Sequence, residues 1–180
     1  DITVMMPVFA ERGDECLFFV AARGHQADIG GMTPGSMPPL SRRVDEEGVL
    51  IDDFLLVDGG RFRETELLAL LRSGRYPARN PAQNLGDLRA QMSACEKGAQ
   101  ELHRIARQFG MATVQAYMKH VQDNAEEAVR RVLDVLTDGE FGYPMDNGAV
   151  VRVRVAIDTT ARRATVDFTG TSAQRPTNFN

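Results

Sequence analysis

The sequence lacks several features that would assign it to a common class of protein. Its only two cysteines, Cys16 and Cys95, are too few for a four-cysteine zinc site and are expected to be reduced thiols. No apolar run approaches the roughly 20 residues of a membrane-spanning helix, and we expect no signal peptide. The net charge of -4 gives no excess of positive charge. We therefore expect a cytoplasmic protein that binds neither nucleic acid nor membranes.

Two kinds of catalytic motif are absent as well. The chain has no GxxxxGK loop or other phosphate cradle, and no serine or cysteine is paired with a histidine in the pattern of nucleophilic catalysis. The sequence begins with Asp1, which opens a strand-like run, and not with an initiator methionine. We expect the chain to be a fragment of a longer subunit, without ATPase or hydrolase activity of its own.

Strand-like segments lie at both ends of the chain. "DITVMMPVF" and "CLFFVAAR" predict a β-hairpin that turns near Gly13, with Pro7 on an edge strand or at a bulge. "GVLIDDFLLVDGG" predicts a further strand region that ends at Gly59 and Gly60, and "VVRVRVAI" with "ATVDF" predicts an antiparallel meander. Together these segments predict an α+β fold, in which an antiparallel β body carries an inserted long antiparallel helical hairpin.

The middle of the chain has helical periodicity. "ETELLALLRSG" predicts a short helix, and two longer apolar seams with heptad spacing predict two long helices that meet near Gly110, the first capped by Asn84. The seams consist of Leu85, Leu88, Met92, Cys95, Ala99, Leu102, Ala106 and Phe109, and of Val114, Met118, Val121, Ala125, Ala128, Val132 and Val135. This hairpin is either self-contained or an arm that packs on a partner or forms a homo-oligomer. The predicted segments are 1–62, 63–138 and 139–180, the last packing with the first.

The stretch 24–39, "GHQADIGGMTPGSMPP", is rich in glycine and proline and has almost no side chains that could form a core. If the first hairpin turns about Gly13, Asp1 lies opposite Arg23 or Gly24, and His25 and Asp28 follow at the same end. Imidazole and carboxylate groups suit a divalent metal such as Mn²⁺, Fe²⁺ or Zn²⁺. The sequence therefore predicts a metal or catalytic site at Asp1, His25 and Asp28; the alternative is a rigid surface loop in which Asp28 forms a turn.

Four motifs occur in order along the chain, namely "ARGHQADIGGMTPGSMPP", "EEG" at 46–48, "NLGDLRAQ" at 84–91 and "VDFTGTSAQ" at 166–174. In these motifs the sequence strongly resembles the hydantoinase B / 5-oxoprolinase family, which includes the β subunit of N-methylhydantoinase and the α subunit of acetone carboxylase. The resemblance runs over essentially the whole chain. It implies an ATP-dependent hydrolase of cyclic amides, such as a hydantoin or 5-oxoproline.

The resemblance also implies partners and site residues. ATP is handled in the family by a companion A subunit or half with an actin-like fold, which agrees with the missing phosphate cradle. The acetone carboxylase branch implies a metal held by Asp1, His25 and Asp28, and Asp87 becomes a candidate for lining the catalytic cleft. A metal-bound water could attack the ring carbonyl, or the metal could polarise it. An acetone-carboxylase-type carboxylase and a non-catalytic scaffold for the A subunit remain alternative functions.

Overall fold

The computed structural model describes residues 1–35 and 38–178, so Ser36 and Met37 of the predicted loop and the last two positions of the segment 139–180 lie outside the described residues. Helices and antiparallel sheets are both present, which confirms the predicted α+β fold class. The elements are β1 Ile2–Phe9, β2 Cys16–Gly24, α1 Val44–Glu47, β3 Val57–Asp58, β4 Arg61–Phe62, α2 Glu64–Leu71, α3 Pro81–Phe109, α4 Met111–Leu133, β5 Gly139–Pro144, β6 Val150–Asp158 and β7 Arg163–Asp167.

The chain divides into two compact units. The first unit is Asp1–Arg104 together with a short segment that begins at Arg175, and the second is Ile105–Gln174. The segments predicted from the sequence are a different division of the chain, and the packing of 139–180 against 1–62 stays a prediction.

The first unit opens with the predicted hairpin of β1 and β2. Ile2 lies opposite Gly24 and Thr3 opposite Arg23, while a bulge at Val8 and Phe9 shifts the pairing near the turn. The expected register was therefore wrong by one position along most of the ladder, because a bulge adds a residue to one strand without a clear sequence signal. The shift brings Asp1 level with the residue that follows β2, which is His25.

The core of the first unit lies between α2, α3 and the hairpin. Leu67 and Leu71 of α2 and Leu85 and Leu88 of α3 are almost fully buried, and Ile2 is among the residues packed against them. The spacing of three and four residues puts these side chains on one face of each helix, so the apolar seam at the start of α3 faces this core.

The long helix α3 begins earlier than predicted. Pro81 is its first residue, and the Oδ1 atom of Asn80 accepts a hydrogen bond from the Gln83 amide at 3.3 Å. Proline suits this position because the amide that it lacks would have no partner inside the helix. The prediction that Asn84 caps the helix was therefore wrong, since Asn84 lies within α3 and is only 1% exposed.

The strand predicted after residue 48 is mostly irregular. Only β3 forms before the turn at Gly59 and Gly60, and it pairs with β4. Asp53 has a φ of 45°, a left-handed conformation that interrupts an extended strand. The apolar residues Phe54 and Leu56 pack against the core instead of forming a ladder. An apolar run without clear alternation predicts a buried segment, but it does not distinguish a strand from an irregular one.

The second unit contains the predicted meander, in which β5, β6 and β7 form one antiparallel sheet in that order. Arg162, in the turn between β6 and β7, forms ion pairs with Glu127 at 3.2 Å and with Asp134 at 3.1 Å. Both acidic groups lie at the C-terminal end of α4 or just beyond it, so these pairs connect the helix to the sheet.

Two long consecutive helices are confirmed, and Gly110 between them has a φ of 82°. In α4 the seam residues Met118, Val121 and Val132 are 40%, 68% and 52% exposed. The antiparallel pairing of the helices and a homo-oligomer formed through them stay predictions. No helix in the described part of the chain combines the length and the apolar character of a membrane span.

Candidate functional site

Asp1 and His25 meet at the open end of the first hairpin, as the sequence predicted. The Oδ1 atom of Asp1 lies 2.6 Å from Nδ1 of His25, and its Oδ2 atom accepts a hydrogen bond from Nε of Arg23 at 3.1 Å. The pairing of β1 with β2 produces this arrangement, because it ends with Ile2 opposite Gly24 and leaves the next residue of each strand side by side. Both side chains are partly exposed.

The contact with Asp1 orients the imidazole of His25. An ionised carboxylate only accepts hydrogen bonds, so Nδ1 carries a proton where it meets Asp1. In that neutral tautomer the lone pair of the ring is on Nε2, which is the atom that can accept a proton or bind a metal. The same carboxylate stabilises the imidazolium form after proton uptake, as in other pairs of a carboxylate and a histidine.

Asp28 holds Arg79. Its Oδ1 atom accepts hydrogen bonds from the amides of Gly30 and Arg79, both at 3.0 Å, and its Oδ2 atom accepts one from Nη1 of Arg79 at 2.8 Å. Burial opposes the ionisation of Asp28, but the hydrogen bonds from the Arg79 and Gly30 amides and from the guanidinium outweigh it and hold the pKa of this carboxyl below its usual range. Asp28 therefore fixes the loop to the segment before α3.

The three predicted metal ligands do not form one cluster. Within the described residues, no group of three or more His, Cys, Asp or Glu side chains is arranged to hold a metal ion. Asp1 and His25 are bonded to each other, and Asp28 is bonded to Arg79. The residues present therefore do not fit a complete metal centre, and the role of these three as ligands stays a prediction.

Asp87, the remaining predicted site residue, is partly buried in the second turn of α3. It lines neither of the two cavities described below. Its catalytic role also stays a prediction.

The loop that follows His25 is held between two backbone segments. The amide of Gly31 donates to the carbonyl of Tyr76 at 3.0 Å, and the amide of Val49 donates to the carbonyl of Ile29 at 2.9 Å. At Gly30 a Cβ atom would lie 2.2 Å from the Tyr76 carbonyl oxygen. The chain segments approach so closely that only glycine fits at this position. This close approach explains why the motif has glycine there.

Two buried amide side chains, Gln26 and Asn84, are hydrogen-bonded beside Asp28, and the sequence predicts a site role for neither of them. Nδ2 of Asn84 donates to Oε1 of Gln26 at 3.0 Å and to the backbone carbonyl of Asp28 at 2.8 Å. Gln26 is 4% exposed. The sequence of α3 contains a signal for this role. Asn84 and Gln91 lie seven residues apart on the face that carries Leu88, and polar side chains on a buried apolar face normally have hydrogen-bond partners.

Gln91 is the second of these polar residues on the buried face of α3. Its Nε2 atom donates to the carbonyls of Ile2 at 2.9 Å and Ala22 at 2.8 Å, so one side chain contacts both strands of the hairpin. A Cβ atom on Gly24 would meet this side chain at 3.0 Å. Gln91 thus fixes the end of the hairpin at which Asp1 and His25 meet.

A cavity of about 280 Å³ opens beside Asp1, whereas His25 is not among its described lining residues. Its polar lining includes Asp1, Gln26 and Glu47, and its apolar walls include Ile29 and Val49. Glu47 is positioned by Ser41, whose hydroxyl donates to Oε1 at 3.1 Å. The volume is close to the lower end of the range for small-molecule sites, about 300 Å³.

A second cavity of about 590 Å³ runs along β1. Its lining is mainly apolar and includes Met5, Pro7 and Phe54. It lacks the convergent polar groups of the first cavity, which is therefore the better candidate for a small polar ligand.

Comparisons with known proteins point in one direction. The family model described as hydantoinase B/oxoprolinase matches residues 1–180. The chain is 40% identical to 5-oxoprolinase 1 of Arabidopsis thaliana and 38% identical to 5-oxoprolinase of Dictyostelium discoideum, in each case over 100% of its length. It spans only 16% and 14% of those two proteins.

A solved structure has the same fold over most of the chain. The crystal structure of ATP-dependent caprolactamase from Pseudomonas jessenii matches with a TM-score of 0.71 and 27% sequence identity. The match covers 91% of this chain and 28% of the caprolactamase chain.

Proposed function

Because the chain belongs to the hydantoinase B/oxoprolinase family over its whole length, we propose that it is part of the B subunit of an ATP-dependent cyclic-amide hydrolase. The single observation that carries this proposal is the pair of Asp1 and His25, 2.6 Å apart, in which Asp1 lines a cavity of about 280 Å³ and His25 belongs to the motif that resembles the family. The 5-oxoprolinases and the caprolactamase among its relatives are named for reactions of this class.

The proposed reaction opens the ring of a cyclic amide whose carbonyl lies at the Asp1 end of this cavity, next to His25. Nε2 of His25 takes a proton from a water molecule, whose oxygen attacks the carbonyl carbon of the ring. Asp1 stabilises the resulting imidazolium. The bond between this carbon and the ring nitrogen then breaks, and the nitrogen receives the proton from the His25 imidazolium. Ile29 and Val49 form apolar walls of the same cavity.

ATP enters this proposal through a partner. The sequence contains no GxxxxGK loop, and the family resemblance implies an actin-like ATP-binding A subunit or half. Transfer of the γ-phosphoryl group of ATP to the substrate by that partner, with release of ADP, would make the ring carbonyl more reactive toward water, and phosphate would leave after the attack. The cytoplasmic location of the assembly and the cyclic amide that it accepts are parts of the same proposal.

A divalent metal stays a separate proposal within this function. Asp1 and His25 offer one oxygen and one nitrogen ligand at the hairpin end, and a bound Mn²⁺, Zn²⁺ or Fe²⁺ would supply Lewis-acid chemistry there. No third ligand joins them among the described residues. The mechanism above therefore uses only the protein's own acid–base groups.

Substitution of His25 tests the proposal. We expect His25→Ala, in the full-length subunit assembled with its ATP-binding partner, to lower kcat for cyclic-amide hydrolysis by about a hundredfold, the lower range for loss of a general base. His120→Ala is the matched control, because His120 is exposed on α4. Release of the ring-opened product is the measurement. Unchanged turnover in a stable assembly would contradict the proposal and favour the scaffold.

Metal titration is a second test. With two ligands brought together in the described residues, we expect the 180-residue chain to bind Mn²⁺ or Zn²⁺ weakly and His25→Ala to remove that binding. Isothermal titration calorimetry measures both affinities. Tight binding that survives His25→Ala would show that the metal lies elsewhere in the chain.

A further inference from the structure

The orientation of the Gln26 amide is fixed by a chain of hydrogen bonds that begins at the backbone. The carbonyl of Asp28 can only accept, so the atom of Asn84 that lies 2.8 Å from it must be the amino nitrogen, Nδ2. The same nitrogen donates to Gln26 at 3.0 Å, so the Gln26 atom that receives this bond must be the carbonyl oxygen, Oε1. The amino group of Gln26 is consequently the group on the other side of the amide.

That amino group has no acceptor among the described residues, although Gln26 is 4% exposed. Gln26 also lines the cavity beside Asp1. Nε2 of Gln26 is not among the fully buried polar atoms that lack a partner in the described residues, so this atom keeps some accessible surface, and the hydrogen bond from Asn84 uses only Oε1. The amide therefore has a donor left for whatever occupies the cavity.

The lining of the cavity restricts the acceptor. Asp1 and Glu47 contribute carboxylates, and no lysine, arginine or histidine is among the lining residues. Two carboxylates next to the donor disfavour a negatively charged acceptor, so the suitable acceptor is the uncharged carbonyl oxygen of a cyclic amide before any phosphorylation. The walls, which include Ile2, Ile29 and Ile51, suit the methylene edge of a small ring.

We propose that Gln26 binds the substrate, donating a hydrogen bond from Nε2 to the ring carbonyl oxygen of a cyclic amide, and that Asn84 positions it for this role. This inference rests on the proposed function, because it assigns a ligand to the same cavity. The buried amide would orient the ring carbonyl, and the carbon of that carbonyl is the atom that the water activated by His25 attacks.

The test is Gln26→Glu, which keeps the shape of the side chain and an oxygen for Asn84 but has no amino group. In the full-length assembly without ATP, we expect the dissociation constant of 2-pyrrolidinone, a minimal cyclic amide, to rise about tenfold, since one hydrogen bond is lost. Gln83→Glu is the matched control, because Gln83 is exposed on α3 and lines neither cavity. The thermal midpoint is measured for each variant.

A second variant covers the case in which Gln26→Glu does not fold. Gln26→Met fills a similar volume without any hydrogen-bonding group, and it is expected to weaken 2-pyrrolidinone binding to the same extent. If a folded variant binds 2-pyrrolidinone as the unsubstituted assembly does, while that assembly hydrolyses cyclic amides with ATP, the inference about Gln26 is overturned and the proposed function stands. If the unsubstituted assembly neither binds nor hydrolyses cyclic amides, both are overturned.

Discussion

Replacing Gly30 with alanine is expected to lower the free energy of unfolding by at least about 4 kcal/mol, a large part of the 5–15 kcal/mol that stabilises a typical domain. The added Cβ atom would lie 2.2 Å from the carbonyl oxygen of Tyr76 and 2.9 Å from the carbonyl carbon of Pro77. Both are backbone atoms, so no flexible side chain can move aside. Gly30 also has a φ of 94°, which side chains other than glycine's rarely adopt.

Gly35 provides a matched control for this substitution. Its φ of 98° is nearly the same, but a Cβ atom there would meet nothing within 4 Å. Gly35→Ala should therefore cost only the backbone strain, about 1–2 kcal/mol. Urea denaturation of both variants separates the steric clash from the strain. Equal losses in the two variants would show that the close approach of Gly30 to Tyr76 does not stabilise the fold.

Replacing Asp28 with alanine is expected to cost about 3 kcal/mol, because two backbone amides and a guanidinium lose their acceptor at once. The Asp28 side chain is 15% exposed, whereas Arg79 is 41% exposed. We therefore attribute the expected loss mainly to hydrogen bonds and little to the screened attraction between the charges. Asp45→Ala is the control, since it removes an exposed partner of Arg43 and should change stability by less than about 0.5 kcal/mol.

The same substitution should change how stability depends on pH. Because the pKa of Asp28 is lowered in the folded protein, the unfolded chain takes up this proton at a higher pH than the folded one. The contribution of Asp28 is therefore present above the ordinary carboxyl value of about 3.9 and is lost as the pH falls through the lower folded value. Urea midpoints measured from neutral pH to below pH 4 should fall less steeply for Asp28→Ala. Parallel curves of urea midpoint against pH for the two proteins would contradict the lowered pKa of Asp28 in the folded protein.

The first hairpin and the long helices could be predicted because their signals are local. Alternating apolar residues on both sides of Gly13 indicate two paired strands, and the heptad spacing after Leu85 indicates a helix. The register was missed by one residue, because the bulge at Val8 leaves no mark in the alternation near the other end of the strand.

The partners of the site loop could not be predicted in the same way. Asp28 and Arg79 are 51 residues apart, and Gln26 and Asn84 are 58 apart. Neither sequence spacing nor residue type indicates that an arginine before a helix will bind a particular aspartate. The local sequence predicts Asn84 as a helix cap, because asparagine is among the preferred residues at that position. The tertiary hydrogen bonds that place Asn84 inside the helix form only in the folded chain.

The distance along the chain between these partners also bears on the order in which the molecule folds. Helix α3 and the first hairpin depend on neighbours close in sequence, and such structures form within microseconds. The bonds from Arg79 and Asn84 to Asp28 close loops of 51 and 56 residues, and the entropy of that closure is lost before any of these bonds can form. The loop that carries Gln26 and Asp28 is thus expected to be among the last parts of the first unit to acquire its native contacts, so a newly made chain would be folded in outline before the candidate site was complete.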